Sequence, residues 1–424
     1  MAAQTEVTIK YLGPKGDGVG QTTRGRIYVE GGLPGDVLRV RPWRAEDDIV
    51  RGEIQGIITP SPERIKPPCK HYDQCGGCTL QHASPDFYRH WKQGIVYDAL
   101  EKQGLRPRKV LEPVFLDGGK RRRATFACVK RGDRITMGYY KRRSDHITDI
   151  DTCLVVDPAI LKLRDRLKTL LLPVLKDGRP TDVFIQYAGG VYDMVITGGI
   201  GKKGEPDLQM REALATLARE GKIARIGWRG RERDPIEVMI ESEAPTITFG
   251  EMRVPLPPAA FLQPTPEGEK ALVDGVMALM PERKGHYADL FSGCGTFAGS
   301  MLARGSVDAY ESVDPAIKSM VKAKGALPLK AFKRDLFKNP LRRDEANRYD
   351  AIVFDPPRAG AREQCAELAK CRVPLLIAVS CNPATFARDA RVLCDGGYRL
   401  DTVKVVDQFT WSHHVELVAS FTRK

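Results

Sequence analysis

Three rhythms of apolar and polar positions divide this chain. Up to about residue 60, apolar residues come in short runs at 7–12, 25–29, 36–40 and 53–58. Gly16-Asp17-Gly18 and Leu33-Pro34-Gly35-Asp36 break them as turns, which predicts a small β-barrel of the OB type. Across 87–103 the period changes to that of an amphipathic helix, through Phe87, Trp91, Ile95 and Leu100, with Gly104 as its stop. Residues 110–245 mix strands and helices, with helices over 161–176 and 207–221. From about 250 a helix over 267–280 leads into apolar runs at 287–291, 307–311, 351–354, 375–380, 403–406 and 416–421. Strand alternating with helix predicts a doubly wound α/β sheet.

The fold class is therefore α/β, in three units. Residues 1–60 form the OB-like barrel and 61–248 a mixed α+β central domain. Residues 249–424 form a doubly wound, Rossmann-like domain on which a helix within 85–110 is expected to pack. Residues 60–68 read as a proline-rich linker. At 424 residues, 42% hydrophobic and 29% charged, the composition is that of a globular chain with ample core. No run approaches eighteen apolar residues, so no membrane span is expected. The first residues lack a basic stretch and an apolar core, so no signal peptide and a cytoplasmic location are expected. In that compartment the ten cysteines are thiols or metal ligands rather than disulfides.

Charge adds a partner. The net charge of +13 points to a polyanion, most simply nucleic acid. Arg121-Arg122-Arg123, Lys130-Arg131 and Lys141-Arg142-Arg143, with Tyr139-Tyr140 among them, suit phosphate neutralisation and base stacking. Any one such cluster alone is also what a solvated basic face looks like.

Four places carry candidate chemistry. Cys69, Cys75 and Cys78 are spaced for a metal, and Gly76-Gly77 lets neighbouring thiolates reach one centre. Cys153 is the best fourth ligand by position, and the spacing leaves zinc and an iron–sulfur cluster both open. His71 and His82 are further zinc candidates, although surface histidines are commoner. The run 287–291 enters Gly293-Cys294-Gly295 and a helix, and Glu311 ends the next strand, where doubly wound folds hold ribose hydroxyls. This suits a dinucleotide or S-adenosylmethionine, but the full GxGxxG of a dinucleotide site is missing. Asp355-Pro356-Pro357-Arg358 ends another strand. Cys381 follows the buried run 375–380 just before the turn Asn382-Pro383. There it is either a small buried hydrophobe or, as a thiolate, a nucleophile.

Asp289 to Gly295, Asp355-Pro356-Pro357-Arg358-Ala359-Gly360, Ser380-Cys381-Asn382-Pro383 with Arg388-Asp389, and His414-Val415-Glu416 stand in an order that resembles the RNA 5-methyluridine methyltransferase family. The amino-terminal segment resembles a TRAM domain. With the four cysteines it matches the ribosomal-RNA branch, so the resemblance implies a [4Fe-4S] cluster on Cys69, Cys75, Cys78 and Cys153. It implies Cys381 as nucleophile and Glu416 as base. It also implies S-adenosylmethionine contacts at Gln263, Phe291, Thr296, Glu311, Asp335 and Asp355. The expected activity is C5 methylation of a uridine in 23S ribosomal RNA, flipped from its stack, by a monomer. Transfer RNA is the alternative substrate. Three positions depart from the family's habit: Thr296 for Asn, Pro264-Thr265 after Gln263, and Thr410 for Pro. Two other classes remain, a non-catalytic RNA-binding iron–sulfur assembly factor and a zinc-bearing oxidoreductase. Retention of both Cys381 and Glu416 speaks against the first, and the missing dinucleotide fingerprint against the second.

Overall fold

The computed structural model describes residues 4–23, 25–44, 50–116, 118, 120–198 and 207–423. In β1 (Thr5–Leu12) Val7 and Ile9 point inward while their neighbours face out, the period of a half-buried strand. β2 (Gly18–Thr22), β3 (Gly25–Val29), β4 (Val37–Arg44) and β5 (Val50–Thr59) close with it into a barrel in the order β1-β2-β3-β5-β4. Its core is Val7, Ile9, Ile27, Val29, Leu38 and Val40.

The proline-rich stretch after the barrel is pinned rather than free. Buried Asp36 accepts the Leu33 and Ser61 N–H groups at 2.6 and 2.7 Å, and the Arg64 guanidinium. Ile65 N–H donates to the His82 carbonyl and Ser84 N–H to the Glu63 carbonyl. Leu33 packs with Leu80, Ala83 and Tyr88. The barrel therefore sits against α1 (Pro85–Lys102), whose first turn is capped by the Ser84 side chain.

α1 in turn belongs to the carboxyl-terminal core. Ile95, Val96 and Leu100 pack with Leu393, Val403 and Val405. β6 (Lys109–Val110) and β7 (Val114–Phe115) follow it and extend that unit's sheet.

The central residues form a seven-stranded sheet in the order β10-β9-β8-β11-β12-β13-β14. The elements in chain order are β8 (Arg123–Arg131), β9 (Arg134–Tyr140), β10 (Ile147–Asp149), α2 (Pro158–Leu170), β11 (Thr181–Ala188), β12 (Val191–Thr197), α3 (Leu208–Gly221), β13 (Ile223–Arg229) and β14 (Glu237–Glu241). Leu163, Leu167, Leu214 and Leu217 lay both helices on it. The helix expected to reach residue 176 stops at Leu170, because Pro173 has no N–H to continue it.

A hairpin, β15 (Thr246–Phe249) and β16 (Met252–Pro255), opens the last unit. Then come α4 (Pro266–Leu279), β17 (Gly285–Leu290), α5 (Thr296–Met301), β18 (Gly305–Glu311), α6 (Asp314–Ala323) and β19 (Leu329–Lys333). α7 (Arg343–Ala346), β20 (Ala351–Phe354), α8 (Arg362–Leu368), β21 (Leu375–Ser380), α9 (Pro383–Asp395), β22 (Tyr398–Asp407) and β23 (Glu416–Arg423) complete it. The sheet runs β19-β18-β17-β20-β21-β23-β22-β6, with β7 also on β22. β20 and β21 are apolar almost throughout because helices cover both faces of a parallel sheet. β19 left no apolar run to read, since it is an edge strand with one buried residue. The chain steps outward from β17 to β19, then returns to β20 on β17's other side. That reversal opens the crevice where such sheets bind ligands. No helix among the described residues is long and apolar enough to cross a membrane.

Candidate active site

The strand ends carry the candidate residues to this crevice. β20 and β21 are parallel neighbours, with Phe354 beside Ala378, so the loops at Asp355 and Cys381 leave the sheet side by side. β23 runs antiparallel to β21 with Ser380 opposite Leu417. One further step of that register sets Cys381 opposite Glu416.

Three acids thus share one partly dry place. Burial, then the charges of Glu416 and Asp355, push the Cys381 thiol up to about 11, and Arg358 opposes them. Burial raises Asp355 to about 7. Burial and the Asp355 charge raise Glu416 well above the usual carboxylate range. These directions follow from removing anions from water and placing them together.

Side chains stitch the loops into one surface. Asn382 Nδ2 donates to the Arg358 carbonyl at 2.9 Å, and Thr385 Oγ1 donates to it at 3.2 Å. The Asn382 side chain also caps α9 through Ala384 N–H. Asp389 accepts Ala361 N–H at 2.6 Å. Gly360 has φ +80°, and a Cβ there would fall 2.5 Å from the Asp389 carboxylate, so the loop requires glycine. Arg358 reaches the His414 Nε2 at 2.9 Å. Burial, then the charges of His413 and Arg358, lower His414 to about 3, so it stays a neutral acceptor for that guanidinium.

A buried amide pair joins Glu416 to Asp355. Gln408 Nε2 donates to Gln263 Oε1 at 2.7 Å, and Gln263 Nε2 stands 3.5 Å from the Asp355 carboxylate. A hydrogen bond from Gln408 also favours ionised Glu416. Gly268 of α4 makes room, since a Cβ there would meet the Gln408 side chain.

The other side of the crevice suits a nucleoside. Glu311 accepts Gly293 N–H through one oxygen at 2.9 Å, and the Ser312 and Val313 N–H groups through the other. Phe291 has φ +61°, an unusual conformation for an aromatic residue, and its ring lies 5.5 Å from that of Phe337. Asp335 accepts Phe337 N–H at 3.1 Å and so shapes the turn that brings that ring in. Thr296 opens α5 directly after the left-handed Gly295. Asp289 binds Ala298 N–H with one buried oxygen, and its other oxygen has no partner among the described residues. The aromatic pair, the acid at the end of β18 and the open Gly293 loop fit the base, ribose and backbone approach of S-adenosylmethionine. Phe291, Glu311, Asp335 and Asp355 stand at or just after the carboxyl ends of β17, β18, β19 and β20, Thr296 opens the helix that follows β17, and Gln263 reaches Asp355.

Residues 333–424 match the model of the tRNA (uracil-5-)-methyltransferase family. An uncharacterized RNA methyltransferase of Caulobacter vibrioides is 39% identical over 99% of this chain and 100% of its own length. The chain belongs to the RNA (uracil-5-)-methyltransferase family. The 23S rRNA (uracil(1939)-C(5))-methyltransferase RlmD of Acinetobacter baumannii is 29% identical over 94% of this chain and 89% of its own. The crystal structure of the Pyrococcus abyssi tRNA (uracil-54, C5)-methyltransferase with S-adenosyl-L-homocysteine shares the fold. Its TM-score is 0.73 over 99% of this chain and all of that one, at 22% identity. This RNA (uracil-5-)-methyltransferase is accordingly an S-adenosylmethionine-dependent enzyme acting on RNA.

In this methyltransferase Cys69, Cys75, Cys78 and Cys153 line one cavity of about 500 Å³, together with Arg121, Arg358 and His414. Gly77 N–H points at the Cys75 sulfur and Val155 N–H at that of Cys153, both at 3.4 Å. Burial and the neighbouring thiols raise Cys75, and push Cys78 up to about 12. Such thiols become thiolates together only around a cation, so the donor set fits a metal group. Among the described residues no cluster of three or more His, Cys, Asp or Glu closes around a single ion. Neither histidine takes part as a surface residue free to ligate. His82 is buried against the Tyr72 hydroxyl at 2.6 Å, and His71 meets Asp151 at 2.6 Å.

Sequence reading missed the residues that hold the Glu416 loop. Lys92 of α1 pairs with Asp407, the last residue of β22, and also donates to the His414 carbonyl. Tyr88 donates to Asp407 at 2.6 Å and accepts Trp411 N–H at 3.0 Å. Thr79 and Leu80 N–H, next to Cys78, both donate to the Trp411 carbonyl. One signal was available: Lys92 lies on the apolar stripe of α1, four residues after Tyr88 and four before Val96.

Proposed function

We propose that this enzyme methylates C5 of a uridine in large-subunit ribosomal RNA through a covalent bond between Cys381 and C6. The observation that carries this reading is Cys381 one register step across from Glu416, with Asp355 beside both. C5 of uracil is a weak nucleophile. Addition of the Cys381 thiolate at C6 turns C5 into an enolate carbon. S-adenosylmethionine supplies an electrophilic methyl group. Glu416 then removes the C5 proton, and elimination of Cys381 restores the C5=C6 bond and frees the thiolate.

Each neighbour has a task in that sequence. Arg358 offsets the two carboxyls and lowers the cost of ionising Cys381. Gln408 favours the ionised Glu416 that must accept a proton. Gln263 orients Asp355 between the crevice and the cysteine. Gln263, Phe291, Thr296, Glu311, Asp335 and Asp355 hold the methyl donor.

Cys69, Cys75, Cys78 and Cys153 hold a [4Fe-4S] cluster in this reading. Four irons spread their ligands further apart than one tetrahedral zinc does, in keeping with four sulfurs that line a cavity without closing on one ion. The barrel, read as a TRAM-like RNA-binding unit, and the basic central sheet hold RNA around the flipped base, with the enzyme working as a cytoplasmic monomer.

The ribosomal relative that spans most of the chain supports the substrate. Transfer RNA is the second reading, favoured by the description of the matching family model. The deciding experiment incubates anaerobically purified enzyme and labelled methyl donor with unmodified ribosomal and transfer RNA, then maps the modified base. Label confined to transfer RNA overturns the ribosomal assignment, and label in neither overturns the reaction.

A further inference from the structure

A second cavity, of about 400 Å³, lies between the barrel and the turn that joins β9 to β10. Glu30 of the barrel forms one wall, Tyr140 to Arg143 the other, and Gly76-Gly77 of the cysteine loop the back. We propose that this cleft is a subsite for one unstacked nucleotide of the RNA strand flanking the modified uridine, with Tyr140 as its stacking face and Lys141 and Arg143 at its phosphate. This rests on the reading of the enzyme as an RNA uridine methyltransferase.

The cations here have unequal duties. Arg142 is committed to structure: it donates to the Cys78 carbonyl at 2.7 Å and lies 4.4 Å from the Tyr72 ring centre. Arg143 is held between Glu30, at 2.6 Å, and the Trp43 ring, at 5.5 Å. Its φ of +52° is a conformation few side-chain-bearing residues adopt, so local structure holds it there against a cost. The Lys141 ammonium has no carboxylate partner among the described residues. Among the described lining residues three cations face one carboxylate, with Asp145 and Asp182 acting on Tyr140 from outside the lining.

The aromatic residues complete the pattern. Tyr140 is 43% exposed, Trp43 is 40% exposed, and Tyr140 stacks on no other ring among the described residues. A staple seating the barrel would account for Arg142, Arg143 and Glu30. It would not account for an exposed tyrosine beside a lysine that has no carboxylate partner among the described residues. Aromatic faces set among cations are how proteins hold single-stranded nucleic acid, and the volume falls within the roughly 300–1,000 Å³ of small-ligand sites.

Position links the cleft to the reaction. Gly76, Gly77 and Tyr139 line both this cleft and the cysteine cavity, which extends to Arg358 and His414. A strand whose uridine meets Cys381 can therefore run past the cysteine loop into the cleft.

The test titrates the full-length enzyme against fluorescein-labelled decauridylate over a range of salt, for wild type, Tyr140→Ala, Tyr140→Trp and Lys141→Ala. Tyr140→Ala is expected to weaken binding by about five- to a hundredfold, with Tyr140→Trp close to wild type. Lys141→Ala is expected to reduce the salt slope by about one. Tyr140→Ala binding within about twofold of wild type overturns the subsite. Photocrosslinking 5-bromouridine decamers to the wild-type enzyme needs no variant to fold: a crosslinked peptide containing Tyr140 supports the subsite, and crosslinks only elsewhere overturn it. Wild type that methylates no RNA, while Tyr140→Ala still weakens binding, overturns the proposed reaction and leaves the subsite standing.

Discussion

Lys92 and Asp407 form an ion pair 2.9 Å long with both side chains withdrawn from water, between helix α1 and the end of β22. Asp407 closes β22 and Glu416 opens β23, so the pair anchors the loop that aims Glu416. Lys92→Met leaves Asp407 buried with hydrogen bonds from Tyr88 and Phe409 N–H but no cation beside it, which is expected to cost about 3–5 kcal/mol of stability. Lys92→Met with Asp407→Leu is expected to recover much of that stability without recovering methylation. Thermal unfolding and turnover of the two variants check this. A double variant with full turnover would show that the pair only fills space.

In the proposed mechanism Cys381 and Glu416 act at different steps, so removing each is expected to stop the reaction at a different point. Cys381→Ala gives neither methylation nor adduct, because C5 is never activated. Glu416→Gln still adds the thiolate and transfers methyl, then stalls with the C5 proton in place. Denaturing electrophoresis should show an RNA-shifted band carrying labelled methyl for Glu416→Gln alone. Wild-type turnover by Glu416→Gln assigns the base elsewhere. A methylated adduct from Cys381→Ala moves the nucleophile, with Cys294 of the cofactor loop the next to test.

The environment of Cys381 gives a signed pH prediction. With its thiol pushed up to about 11, alkylation of the free enzyme by iodoacetamide should be slow near neutrality and rise about tenfold per pH unit toward that value. The charges of Glu416 and Asp355 oppose the Cys381 thiolate, and that of Arg358 favours it. Glu416→Gln should therefore lower the midpoint and Arg358→Gln raise it. Peptide-resolved mass spectrometry across this range separates Cys381 from the other cysteines. A midpoint unmoved by Glu416→Gln would mean that the two side chains do not sense each other.

The cysteine cavity predicts an iron content. Anaerobically purified enzyme should be brown, with about four irons per chain and no stoichiometric zinc. Replacing Cys75 or Cys153 by Ser should lose the colour. The Glu416 loop should loosen as well, because the segment after Cys78 is bonded to Trp411. Hydrogen exchange at Trp411 and His414 reads that loosening directly. Unchanged protection there would separate the cysteine centre from the catalytic loop.

Local chemistry made part of this enzyme readable from its residues. The runs ending at Leu290, Phe354 and Ser380 announce buried parallel strands, because apolar length and a following Gly or Pro turn are local signals. Asp355-Pro356-Pro357-Arg358 and Ser380-Cys381-Asn382-Pro383 carry their geometry in the turns they encode, and they stand at the ends of β20 and β21. The order of the chain placed Glu416 at the start of the last strand. Distance along the chain hid the rest. Lys92 and Asp407 lie 315 positions apart, and neither has a local reason to be buried. Residues 60–68 look like a free linker until Asp36 and Arg64 meet across the barrel, and His82 looks like a surface histidine until Tyr72 closes over it. The sequence alone determined the candidate reactive residues and the strands that end beside them. Only the tertiary structure decided that the start of β23 lies across from the end of β21, and which residues of α1 pack on the carboxyl-terminal core. It also set the segment after Cys78 against the loop between β22 and β23. Each of these is a long-range pairing fixed by sheet register and by satisfying buried charge, and no local pattern encodes either.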